Sequence, residues 1–123
     1  MSRILVIDDE VVYLKTVQLA LNAGGHEAII AYGGEDGLRL LDLHYHHIQL
    51  ILLDMMMPDY SGLEMLKKIQ EQKKWVHIPI LILSGLGMTP EIEEALLLGA
   101  SGYLPKPFSR SKLLEHVDIA LMV

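Results

Sequence analysis

The sequence predicts an α/β domain in which a five-stranded parallel sheet carries helices on both faces. Three observations predict it. Short apolar, β-branched runs alternate five times with segments of helical spacing. The links between them are brief and rich in Gly, Pro, Asp and Ser. Two of the runs, Ile48 to Leu53 and Ile80 to Leu83, are almost wholly apolar rather than alternating, as expected where both faces of a sheet are covered.

Each element has its own signal. Ile4 to Ile7 is the first strand, and Asp8, Asp9 and Glu10 follow it. From Val11 the period changes: Leu14, Val17 and Leu21 recur at helical spacing, and Gly24-Gly25 closes that helix with a left-handed cap. Ala28 to Ala31 is the second strand. Gly33-Gly34 turns into a helix carrying Leu38, Leu40 and Leu41; Gly37 inside it costs about 1 kcal/mol against alanine, so this helix is expected to be the weakest. Ile48 to Leu53 is the third strand, ending on Asp54, Met55, Met56, Met57 and Pro58. After a loop from Asp59 to Gly62, Leu63, Leu66 and Ile69 mark a third helix. Pro79 opens the fourth strand and Ser84-Gly85 ends it. Thr89, Pro90 and Glu91 read as an N-cap, a first-turn proline and an early acid. Tyr103-Leu104 is a short fifth strand before Pro105, Lys106 and Pro107. Ser109 caps a last helix with Leu113, Leu114, Val117, Ala120 and Leu121 on one stripe.

Right-handed crossovers leave two orders for such a sheet. The flavodoxin-like order 2-1-3-4-5 suits five units; a Rossmann order prefers six. In either, all strand carboxyl ends share one edge, where ligands of open α/β sheets bind. This sequence puts Asp8 and Asp9 there after strand one, Asp54 after strand three, Ser84 after strand four and Lys106 after strand five. An aspartate at a strand end also suits an ordinary turn, but this set together has a chemistry. Carboxylates held close repel, and a hard divalent cation with oxygen ligands relieves the conflict. Lys106 can balance a carboxylate or bind a phosphate oxygen, Ser84 can donate to another, and Asp54 can act as a nucleophile forming an aspartyl phosphate.

Composition narrows the function. The chain has 123 residues, enough for one domain, residues 1–123, and not for two of ordinary size. It is 51% hydrophobic, in keeping with a folded core. Its net charge of −6 disfavours direct nucleic-acid binding by this domain. No apolar run reaches the roughly 18 residues of a membrane span, and the N-terminus lacks signal-peptide features. With no cysteine there is no disulfide or thiolate chemistry. A cytoplasmic protein is expected.

These residues carry a resemblance. Asp8-Asp9, Asp54 through Pro58 with Gly62 beyond, Ser84-Gly85, and Tyr103 through Phe108 are similar, in order and spacing, to the motifs of response regulator receiver domains, the CheY-like phosphoacceptors of two-component signalling. The resemblance spans essentially the whole chain. It implies that Asp54 accepts phosphoryl from the phosphohistidine of a sensor histidine kinase or a histidine phosphotransfer protein, or from small phosphodonors. It implies Mg²⁺, with Mn²⁺ as a substitute, ligated directly by Asp9 and Asp54 and by the backbone carbonyl of Met56, with Asp8 acting mainly through water. Lys106-Pro107 resembles the family's lysine followed by a cis-proline. The resemblance further implies a switch in which Ser84 moves toward the phosphate, Tyr103 turns inward, and the surface of the fourth helix, fifth strand and fifth helix changes. That surface is also where a dimer is expected. The protein would be no conventional enzyme, catalysing only its own phosphorylation and slow dephosphorylation.

Two positions that tune phosphoryl lifetime in the family are here Met56 and Leu86, both apolar, so slow self-dephosphorylation is expected. Ser84 stands where threonine is common and keeps the hydroxyl. The fourth helix carries more apolar residues (Ile92, Ala95, Leu96, Leu97, Leu98) than one face can bury, which suggests a partner surface. His44, His46 and His47 lack a matching ligand set, and no metal is expected there. Three rivals are set against this reading. Flavodoxin would need a Ser/Thr/Gly-rich phosphate loop where Asp8-Asp9-Glu10 stands. A haloacid-dehalogenase-like phosphohydrolase would carry its nucleophile after strand one with a second Asp two residues on, where this chain has Glu10. A degenerate receiver acting only as a protein-binding module would not keep the full acidic set and Lys106. The output domain or target, the cognate kinase and the signal are not written in these residues.

Overall fold

The structure is a computed structural model, and it describes residues 2–85 and 87–122. The elements run β1 (Arg3–Ile7), α1 (Val11–Ala23), β2 (Glu27–Ala31), α2 (Gly34–His44), a 3-10 turn (Tyr45–His47), β3 (Leu50–Asp54), α3 (Gly62–Glu71), β4 (Ile80–Ser84), α4 (Pro90–Leu97), β5 (Gly102–Pro105) and α5 (Arg110–Leu121). The strands form one sheet in the order β2-β1-β3-β4-β5, and every pairing is parallel. The five-unit expectation and the 2-1-3-4-5 order both hold.

The sheet divides the core in two. On one face Ile4, Val6, Leu50, Leu52, Leu81, Leu83 and Leu104 pack against α1 and α5 through Leu14, Val17, Leu21, Leu113 and Val117. On the other, Leu5, Ile7, Ile51, Leu53, Ile80 and Ile82 pack against α2, α3 and α4 through Leu41, Met65, Leu66, Ile69, Ile92 and Ala95. Successive strand residues point to opposite layers, and both layers are dry, so a central strand must be apolar at every position. All residues of β3 and β4 are accordingly buried, Asp54 and Ser84 included.

Three local readings are corrected. The third strand begins at Leu50, not Ile48, because the Tyr45–His47 turn intervenes and the ladder starts where Leu50 pairs with Ile4. The strand also runs one residue past the expected bound at Leu53, so that Asp54, expected at its carboxyl end, is its last residue. At the end of α1, only Gly25 is left-handed (φ 84°); Gly24 has φ −84°. A Cβ at Gly24 would lie 2.5 Å from Cδ2 of Leu114 on α5, so a larger residue there requires the Leu114 side chain to shift.

Candidate functional site

The parallel register decides what meets at the carboxyl edge. Ile7 of β1 is level with Leu53 of β3, so Asp8 and Asp54, each one residue further on, come side by side. Ser84 pairs with Pro105, and the Lys106 N–H donates to the Ser84 carbonyl at 2.8 Å. That bond brings Lys106 back over the end of the sheet. Its Nζ lies 3.0 Å from Asp8 Oδ2 and 3.2 Å from Asp54 Oδ1. The Lys106–Pro107 peptide is cis. Asp8 and Asp54 are buried; Asp9 is exposed at the rim. One carboxylate oxygen from each of Asp8, Asp9 and Asp54 lies within 4.8 Å of the others, the one group of three such ligands found among the described residues. The histidines of the Tyr45–His47 turn form no such group; His46 stacks on Tyr45 instead, with centroids 4.0 Å apart.

The electrostatics follow from that packing. Burial and the neighbouring Asp8 push the Asp54 carboxyl up to about 6, against the pull of Lys106. Burial works against the charge of Lys106, but the hydrogen bonds and charges of Asp8 and Asp54 outweigh it, so its pKa is raised and it stays an ammonium. Each oxygen of the Asp8 carboxylate accepts a hydrogen bond: Oδ1 from the Glu10 N–H at 3.0 Å and Oδ2 from Lys106 at 3.0 Å.

The remaining expected positions lie around this centre. Ser84 is buried at the end of β4. Met56, two residues after the acceptor in the chain, is 61% exposed. Tyr103 lies opposite Ile82 in the ladder; its ring already packs inward against the α2–α3–α4 core layer, and its buried hydroxyl has no hydrogen-bond partner among the described residues. Leu86 falls outside the described residues. Met55, which had no assigned role, is core.

Two residue roles escaped sequence reasoning, one of them at the site. The Tyr13 ring lies under Lys106, with Nζ 4.0 Å from its centroid, and meets Phe108 edge-on at 5.7 Å. The available signal was its place, four residues after Asp9 on the first turn of the helix leaving the site. Asp59 was read only as loop. Its carboxylate accepts from the Gly34 and Glu35 N–H groups and from that of Tyr60. It thereby caps α2, whose own N-cap residue, Gly33, has no side chain to do so.

The fold and this cleft define a doubly wound α/β domain with an acidic, lysine-bridged site at the sheet's carboxyl edge. The chain belongs to the response regulator receiver domain family of two-component systems, whose model matches residues 4–118. It is 35% identical over 120 residues to the chemotaxis protein CheY of Treponema pallidum, covering 97% of this chain and 82% of that one. It is 34% identical over 121 residues to the transcriptional regulatory protein CpxR of Escherichia coli, covering 98% of this chain and 50% of that one. Among solved structures, the Vibrio cholerae chemotaxis protein CheY4 superposes with a TM-score of 0.89 at 29% identity, covering 98% of this chain and 99% of that one. The chain thus spans half the length of its transcriptional relative. Among the described residues no helix is long and apolar enough to cross a membrane.

Proposed function

We propose that this domain accepts a phosphoryl group on Asp54 from a phosphohistidine and that its phosphorylation alters the α4–β5–α5 surface. The observation that supports this most is Lys106 bridging Asp8 and Asp54 inside a cluster of three carboxylates. Such an oxygen-only donor set fits Mg²⁺, or Mn²⁺ in its place. Asp9 and Asp54 would hold the ion directly. Asp8 would contact the ion through water, as the resemblance to receiver domains implies. The resemblance to receiver domains implies the backbone carbonyl of Met56 as a further ligand. When bound, the ion offsets charge on the transferring group.

The chain's own residues do the rest. Asp54, ionised at neutral pH but more basic than an ordinary carboxylate, attacks phosphorus. An O–P bond forms, the donor's P–N bond breaks, and the electron pair leaves on the imidazole. Lys106 turns to a phosphoryl oxygen and the Ser84 hydroxyl donates to another. The Ser84 shift would bear on Tyr103, whose ring already packs inward with its hydroxyl buried. A two-state surface is thereby biased by a local charge. Leu97, 88% exposed on α4, belongs to that surface and supports a dimer or an output partner there. The donor would be a sensor histidine kinase or a histidine phosphotransfer protein, which places the reaction in the cytoplasm. Residues 1–123 would act as one receiver domain.

The experiment is an intact-mass measurement after incubation with acetyl phosphate and Mg²⁺. A gain of one phosphoryl group, lost in Asp54→Asn and with chelator, is expected. A gain retained in Asp54→Asn would refute the acceptor assignment, and no gain in the native protein would leave only a protein-binding module.

A further inference from the structure

Among the described residues the Lys106 ammonium has three partners, and two of them are carboxylates whose charge a divalent cation would also draw on. At rest its Nζ contacts Asp8 at 3.0 Å, Asp54 at 3.2 Å and the face of Tyr13 at 4.0 Å to the ring centroid. Once Asp8 and Asp54 turn their charge to a cation, their hold on the ammonium weakens and the cation itself repels it. A lysine side chain released in this way has four carbons of rotational freedom. The aromatic face is the partner that no metal competes for. Its attraction to an ammonium is electrostatic and strengthens as water is excluded.

Tyr13 is built to stay in place. It sits on the first turn of α1 and packs with the core layer between α1, α5 and the sheet. Its ring meets Phe108 at an interplanar angle of 85°, and Phe108 lies two residues after Lys106. The segment that carries the lysine therefore also packs on the ring, whose face is presented to the lysine's head.

We infer that Tyr13 is a positioning residue: its ring keeps the Lys106 ammonium beside Asp54 when the carboxylates are engaged by a cation. This rests on the proposed role of Lys106 toward the phosphoryl group. The hydroxyl is not required, so a phenylalanine should serve as well.

The test compares Tyr13→Phe with the ringless Tyr13→Leu and Tyr13→Met, in the full chain. In metal-free protein, ring current should shift the Lys106 ε-methylene protons upfield in the native chain and in Tyr13→Phe. Both ringless variants should lose that shift. With saturating Mg²⁺ and acetyl phosphate, the ringless variants should show a maximal phosphorylation rate lower by about 2- to 30-fold, the range of a cation–π contact. Tyr13→Phe should retain the rate, and urea midpoints should not follow the same order. Ringless variants phosphorylated at the native rate would overturn the inference, as would Tyr13→Phe falling as far as they do. The NMR readout needs no phosphorylation, so failure of the phosphoacceptor reading itself would be seen separately, as an unmodified native chain with the lysine shift intact.

Discussion

A Cβ on Gly62 would lie 2.5 Å from the Met55 sulfur and 2.7 Å from the Met55 Cα. It would also lie 2.8 Å from the carbonyl oxygen of Asp54. The Gly62 N–H closes the same approach by donating to the Met55 carbonyl at 2.9 Å. The first residue of α3 thus clamps the segment that leaves the acceptor. Two of the three atoms in the way are backbone, so they cannot yield by a change of rotamer. Gly62→Ala is expected to cost about 1–3 kcal/mol through overpacking, read from urea unfolding. Because the displaced atoms belong to Asp54 and its neighbour, phosphorylation by acetyl phosphate should slow by about tenfold or more.

Gly37 offers a case in which helix propensity and packing oppose each other. On an open helix, Gly→Ala would stabilise by about 0.8–1.0 kcal/mol. Here a Cβ would sit 2.7 Å from Cδ1 of Ile7, in the packed layer between α2 and β1. Glycine is what lets this helix lie on the sheet one residue before Asp8. Gly37→Ala should therefore destabilise, by roughly 1–2 kcal/mol. In an Ile7→Val background, which removes that Cδ1, the cost should shrink. A double-mutant cycle in urea measures the coupling, and additive effects would show that the crowding lies elsewhere.

The acceptor should make stability depend on pH in the opposite sense to most carboxylates. Asp54 is raised from 3.8 to about 6, by burial first and by Asp8 second. Between those values the folded protein holds more protons than the unfolded chain, so stability falls as pH rises through the window. Above it the ionised group opposes folding. Asp54→Asn should be more stable than the native chain at pH 7 by about 1–2 kcal/mol, allowing for the solvent that reaches the cleft. The two should converge near pH 4. Urea midpoints across this range, with chelator present, provide the check; a constant difference would rule the effect out.

Phosphoryl lifetime should respond to Met56. It lies two residues after Asp54 and is 61% exposed, and a thioether cannot orient an attacking water as an amide can. Met56→Asn is expected to speed loss of the phosphoryl group by about tenfold, equal to roughly 1.4 kcal/mol in the barrier. Decay followed by intact mass would show it. Fast decay in the native chain, unchanged by the substitution, would remove Met56 from this role.

Much of this molecule was legible before any coordinates. Apolar runs at Ile4, Ile51 and Ile80 and the changes of period at Val11, Leu63 and Leu113 marked the elements, because dry sheet faces and helix stripes impose periodicities that survive in one dimension. Thr89 and Ser109 announced two helix starts, and both side chains accept the expected backbone hydrogen bond. Asp8, Asp9, Asp54, Ser84 and Lys106 could be assigned to one edge because each ends a strand, and a parallel sheet puts all such ends together.

Contacts between segments distant in the chain had no such signature. The cap on α2 comes from Asp59, the bar to a side chain at Gly37 comes from Ile7, and the third partner of Lys106 is Tyr13. In each case one residue looks ordinary where it stands, a loop acid, a helix-breaking glycine, a helical aromatic. The sequence by itself determined the order of elements and which chemical groups reach the carboxyl edge, since both follow from local period and strand direction. The tertiary structure alone decided the distances between them. Those distances set the charge of Asp54 and the hold on Lys106, because electrostatic and packing energies vary over ångströms that strand order does not specify.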